Sequence, residues 1–350
     1  MTTKLICSCA VLFACVAAAC GASEPTPASE EALPGADRAP MPAGTGTILR
    51  VDPGLDALVP KDARIEKLAS GFTFIEGPVW IRRESRLLFS DVRDNKIYQW
   101  TAAAGASPFI DPVFEGDRAG LASISSNGLT LDAEGRLVIC EHGNRRISRL
   151  ESNGTRTTIV DRYEGKRLNS PNDAVYSSDG WLYFSDPPYG LEGQDQSPLR
   201  ELAFNGIYRL SPDGRLELLY RDQTRPNGIA LSPDEKTLYV ANSDPNQKLW
   251  MAYDLGPNGV SNPRVFYDVT AETAEGLPDG MKVDRMGNLF GTGPGGVWVF
   301  ATDGTHLGTI QPDEVPANVG WADDGRTLYM TARTGLYRIR LSTEGTIPGP

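Results

Sequence analysis

Cysteine is nearly absent from the part of this 350-residue sequence that can fold: Cys7, Cys9, Cys15 and Cys20 lie within the first twenty positions, leaving Cys140 alone. An intramolecular disulfide is thereby excluded downstream, as is a zinc site built on thiolates. Histidine is scarcer still, with only His142 and His306. Two imidazoles leave little choice of a Ser-His-Asp triad, and no Gly-x-Ser-x-Gly segment supplies a nucleophile turn. Basic charge is in deficit, 34 Lys and Arg against 45 Asp and Glu, a net −11. That sign repels phosphate backbones and speaks against a nucleic-acid partner. After residue 20 no apolar run is long enough to span a bilayer. Helical periodicity is also missing, since no long stretch carries apolar residues three and four apart.

The first twenty residues do have an apolar run. Lys4 provides the positive flank, and Leu5 to Ala19 has the length of a signal-peptide core. Ala17-Ala18-Ala19-Cys20-Gly21 resembles a bacterial lipoprotein processing site, with Ala17 where Leu is usual. Cys15 is a poorer candidate because Phe13 is bulky, and ordinary cleavage without lipid is the plainer alternative. The expectation is a signal peptide over 1–20 and a periplasmic or membrane-anchored protein lipidated at Cys20. Residues 21–47, rich in Ala, Pro, Ser, Gly and Glu, read as a flexible tether. The folded domain is expected over 48–350.

From Glu76 onward one unit recurs every 40 to 56 residues or so, the spacing of a propeller blade. Its second strand reads Leu87-Leu88-Phe89-Ser90-Asp91, Leu137-Val138-Ile139-Cys140-Glu141 and Leu182-Tyr183-Phe184-Ser185-Asp186. The series continues with Leu238-Tyr239-Val240-Ala241-Asn242, Leu289-Phe290-Gly291-Thr292 and Leu328-Tyr329-Met330-Thr331-Ala332. Six such units predict an all-β, six-bladed β-propeller with a central channel. Gly291-Thr292-Gly293-Pro294-Gly295-Gly296 matches a dinucleotide fingerprint formally, but Val297-Trp298-Val299-Phe300 reads as a strand where that motif needs a helix. It is expected to be an inter-strand loop.

The first strand of each unit lines the channel of a propeller. One register position there carries Glu76, Asn127, Asn172, Asn227, Asp279 and Asn318. Two carboxylates converging in a narrow channel repel each other, and a divalent cation would cancel both charges and accept the amide oxygens. An all-oxygen set suits calcium or magnesium better than zinc. Read singly, each Asn-Gly or Asp-Gly could be a turn.

Several motifs carry a family resemblance: Glu76-Gly77-Pro78-Val79-Trp80, Asn169-Ser170-Pro171-Asn172-Asp173, Arg225-Pro226-Asn227-Gly228 and Pro278-Asp279-Gly280-Met281. Together they are similar to the senescence-marker-protein/gluconolactonase/luciferin-regenerating family. Cys140-Glu141-His142-Gly143-Asn144-Arg145-Arg146 and Ser185-Asp186-Pro187-Pro188-Tyr189-Gly190 resemble its bacterial gluconolactonases. The resemblance covers about Arg64 to Ile339. It implies Ca2+, with Mg2+ or Zn2+ as substitutes, held by Glu76, Asn172, Asn227 and Asp279, and substrate beside Asn127, His142 and Asn172. It implies hydrolysis of a small-molecule lactone such as D-glucono-1,5-lactone.

On that basis the cation polarises the carbonyl, water attacks, and Asp279 is the candidate general base. His142, after a strand end, is a second catalytic or substrate-binding candidate; a histidine satisfied by backbone is the bland alternative. His306 is expected in a surface turn, and Arg145 and Arg146 in surface ion pairs. The polar stretch 191–202 is either a lid or a disordered loop. Two rivals are a hydrolase of phosphotriesters or bulkier lactones, and a non-catalytic binding propeller with a structural cation. No obligate protein partner is evident.

Overall fold

Each short run of β-branched and aromatic residues forms a strand, and the strands pair antiparallel into six blade sheets and one small ribbon, Arg162–Tyr163 with Lys166–Arg167. The computed structural model describes residues 44–350, and the expected signal segment 1–20, Cys20 and most of the tether lie outside them. The first three blades begin with the inner strands Ile75–Ile81, Ser126–Leu131 and Ala174–Tyr176. The next three begin with Pro226–Leu231, Met281–Val283 and Asn318–Ala322. Every inner strand touches the inner strands of both neighbouring blades, which closes the ring around one axis.

Closure has a second component that the repeat did not reveal. Ile65–Ser70 pairs with Gly335–Arg340 as the outer strand of the sixth blade, so the two ends of the domain share one sheet. Thr47–Arg50 adds a fifth strand to the fifth blade by pairing with His306–Gln311. Order begins before that strand, because Thr45 N–H donates to Ile65 O at 2.9 Å. A four-residue helix, Leu55–Leu58, and two 3-10 turns are the helical segments among the described residues. None is long enough to cross a membrane.

Between the blades lie aromatic side chains. Trp80 stacks on Tyr329 at 5.9 Å across the first and sixth blades, and Trp250 meets Trp298 at 6.0 Å across the fourth and fifth. Each such side chain contributes about 2–3 kcal/mol through burial. The Gly-rich stretch forms a hairpin, with Leu289–Gly293 and Gly296–Phe300 joined through Pro294-Gly295.

Two expectations about single residues are corrected here. His306 opens a strand rather than sitting in the turn, and its ring stacks on Trp298 at 4.2 Å. Arg145 is buried, its Nε donating to Leu168 O at 2.8 Å and Nη1 to Leu199 O at 2.7 Å. Arg146, by contrast, does form an ion pair, at 3.0 Å from Glu141. The 191–202 stretch is an ordered loop: Leu191 is buried and bridges Leu121, and Asp195 pairs with Arg200 and Arg225.

Candidate functional site

The Asn-Gly and Glu-Gly pairs are not turns. Glu76-Gly77, Asn127-Gly128 and Asn227-Gly228 lie inside inner strands, and Asp279-Gly280 leads directly into one. In the first, second and fourth blades the ladder carries one extra residue at this point, between Glu76 and Val79, Ser126 and Leu129, and Pro226 and Ile229. Such a bulge re-aims a side chain out of the sheet's alternation. The glycine has its own cause. A Cβ on Gly77 would stand 2.2 Å from Asn127 O, and one on Gly228 would stand 2.3 Å from Asp279 O. The next blade's backbone therefore packs where a side chain would be, and Gly77 also has a φ of +58°.

The second strands fix the ring from behind. Ser90 Oγ donates to Asn127 O at 2.7 Å, and Thr292 Oγ1 donates to Ala317 O at 2.8 Å, each tying one blade to the next. The acids that end these strands hold the approach to the ring. Asp91 accepts Thr73 N–H at 2.8 Å, ahead of Glu76, and Asp186 accepts Asn169 N–H at 2.8 Å, ahead of Asn172. Asn242 does the same for Arg225 N–H at 2.7 Å, ahead of Asn227. Burial pushes the Asp186 carboxyl up to about 7.

Glu76, Asn127, Asn172, Asn227 and Asn318 are all buried at this axis. Asp279 keeps partial exposure as a residue, but its Oδ1 is sealed from solvent. Burial first, and then the charge of Asp173, pushes Glu76 up to about 8. Asp279 is driven the same way by burial and by Glu76 and Asp173. Glu76 Oε2, Asp279 Oδ1 and Asn127 Oδ1 are buried with no hydrogen-bond partner among the described residues. An orphaned buried oxygen is costly, and two repelling carboxylates compound the cost. A divalent cation resolves both, so the donor set fits one. No three His, Cys, Asp or Glu side chains converge to ligate an ion by themselves among the described residues, so such a site must draw on the amides.

Asn227 shows how an amide is oriented. Ser243 Oγ donates to Pro278 O and therefore accepts from Asn227 Nδ2, at 2.8 Å, which frees the Asn227 carbonyl oxygen. His142 is fixed similarly. Ser123 Oγ donates to Val92 O at 3.3 Å and lies 3.1 Å from His142 Nδ1, which assigns the proton to Nδ1. Nε2 is then a buried lone pair without a partner among the described residues, and burial lowers the imidazole to about 4. The ring is neutral at ordinary pH, an acceptor rather than a strong base.

Two participants escape sequence reasoning. Tyr189 has a sealed hydroxyl without a hydrogen-bond partner among the described residues, and burial and then the charge of Asp279 push it up. Its neighbour Gly190 packs on His142, where a Cβ would come within 3.0 Å of His142 Cβ. The Pro187-Pro188-Tyr189-Gly190 motif was visible, but not where it folds. Asp173 is the other, a third buried carboxylate standing where four of the other blades have glycine.

Six antiparallel blades around an axial cluster of carboxylates and amides define a β-propeller with an oxygen-donor site. The chain belongs to the SMP-30/gluconolactonase/LRE-like family, whose profile matches residues 74–334. It is 40% identical over 312 residues to a gluconolactonase of Zymomonas mobilis subsp. mobilis, covering 86% of this chain and 87% of that protein. It is 27% identical over 269 residues to a pentonolactonase of Haloferax volcanii, covering 74% and 81%. A solved gluconolactonase of Xanthomonas campestris superposes with a TM-score of 0.74 at 33% identity, covering 86% of this chain and 99% of its own.

Proposed function

We propose that this chain is a cation-dependent lactonase that opens a sugar lactone such as D-glucono-1,5-lactone to the aldonic acid. The observation that carries this reading is the set of sealed oxygens on Glu76, Asp279 and Asn127, at one register of the ring and without hydrogen-bond partners among the described residues. Kinship with enzymes named for lactone hydrolysis supports the substrate class.

Glu76, Asn172, Asn227 and Asp279 would hold the cation, and an all-oxygen set favours calcium. When bound, a divalent cation supplies Lewis-acid polarisation of the lactone carbonyl. Asp279 accepts a proton from the attacking water as the water oxygen bonds to the carbonyl carbon. The ring C–O bond then breaks, and the departing ring oxygen takes up the proton that Asp279 accepted, which returns the carboxylate to its starting state. His142 Nε2 and Asn127 Oδ1 accept hydrogen bonds from substrate hydroxyls, which orients the lactone without chemistry of their own. A sugar lactone is an activated ester, so a weakly basic carboxylate suffices.

A panel of aldono-lactones, bulkier lactones and a phosphotriester, each assayed with calcium, tests the assignment. Preference for the aldono-lactones supports it, and hydrolysis of the phosphotriester alone overturns it. Export on a lipidated Cys20 is proposed separately; loss of the lipid mass increment in Cys20→Ala would support it.

A further inference from the structure

We propose that Lys282 is the fixed counter-charge of Asp173, and that this pair tunes the affinity of the axial site for its cation. The inference rests on the cation reading above. Each residue puts a charge where the other five blades have none. At the position after the ring oxygen the first, second, fourth and fifth blades have Gly77, Gly128, Gly228 and Gly280, and the third has Asp173. Three positions after it the first four blades have Val79, Thr130, Val175 and Ala230, and the fifth has Lys282. The two departures meet, with Lys282 Nζ 3.9 Å from Asp173 Oδ2.

The pair is built in. Asp173 is 2 % exposed; its Oδ1 accepts Ala174 N–H at 2.9 Å, while Oδ2 is sealed and has no hydrogen-bond partner among the described residues. Lys282 is anchored by donation to its neighbour Met281 O at 2.9 Å. Asp173 directly follows Asn172 in the ring, and a Cβ on Gly128, beside Asn127, would stand 2.7 Å from its Oδ1. With Glu76, Asp279 and Asp173 ionised, the axial cluster carries three negative charges and Lys282 returns one. What remains balances one divalent cation. Lys282 is thus a positioning residue that acts through charge and need not touch the ion.

Calorimetric titration of calcium chloride into the full chain, stripped of metal by chelator and held at pH 8, tests the proposal. Asp173→Asn should weaken binding about tenfold, and Lys282→Met should tighten it about tenfold. The double variant should return to within about twofold of the parent. The direction for Lys282→Met is decisive, because a merely structural lysine would weaken binding when lost. Lys282→Gln provides a second neutral variant if the Met form does not fold, and Lys282→Arg should bind like the parent. Calcium binding by the parent that is unchanged or weakened in folded Lys282→Met or Lys282→Gln overturns this inference alone. No calcium binding by the parent overturns the cation reading, and this inference with it.

Discussion

The side-chain amide of Asn227 donates to Ser243 Oγ at 2.8 Å, and the Ser243 hydroxyl in turn donates to Pro278 O in the next blade. One serine therefore orients a proposed ligand and joins two blades. Ser243→Ala should weaken calcium binding about tenfold by freeing that amide to rotate, and should cost about 1 kcal/mol of stability. Titration calorimetry and thermal melting read the two effects separately. Unchanged affinity would remove Ser243 from the site.

Glu76→Gln and Asp279→Asn each relieve the repulsion on the axis. Both should lose lactone hydrolysis at least ~100-fold. Both should also melt higher than the parent in chelator, because an unpaired buried charge has gone. Near-normal turnover in Asp279→Asn would take that residue out of the chemistry.

Stability without the cation should fall as pH rises. A carboxyl raised in the folded state binds more protons folded than unfolded, so stability is lost between its two pKa values. For Glu76 that window runs from 4.5 to about 8, and Asp279 is displaced in the same direction. Asp186 adds its own decline from 3.8 to about 7. Melting in chelator should drop across this range, and calcium should flatten all but the Asp186 part. Identical pH profiles with and without calcium would contradict the site.

His142→Ala should raise KM about tenfold while changing kcat less, since Nε2 accepts a substrate hydroxyl and does not carry the reaction's proton. Ser123→Ala should give a smaller shift in the same direction by loosening the ring. A loss confined to kcat would make His142 the base instead.

Gly228→Ala places a methyl group 2.3 Å from Asp279 O and should destabilise the fold by about 3 kcal/mol or more. Gly154→Ala meets nothing within 4 Å and bears only the strain of its φ of +82°, so it should cost much less. Chemical denaturation of the two variants compares them directly.

The blades were legible in the sequence because each repeats a short β pattern, and the ring was legible because Glu76, Asn127, Asn172, Asn227, Asp279 and Asn318 share one register. Turns remained an alternative for the glycines beside them when each pair was read singly, since sequence cannot show the neighbouring backbone that forbids a Cβ. The closing strand Ile65–Ser70 was hidden because its partner Gly335–Arg340 lies at the other end of the domain. Arg145 looked like a surface residue; the carbonyls that receive it come from Leu168, Asn169 and Leu199, all distant in sequence. Asp173 and Tyr189 stood inside quoted motifs, yet their roles depend on which blades meet. Local pattern is written along the chain, whereas convergence is written only in the ring.

Hydrolysis of D-glucono-1,5-lactone by the full chain, followed at constant pH against the spontaneous rate, bears most directly on a cation held between Glu76 and Asp279. Chelator should abolish the enzymatic rate and added calcium should restore it, in the parent chain and not in Glu76→Gln. A rate above background that survives chelation, or no such rate with calcium present, would contradict it.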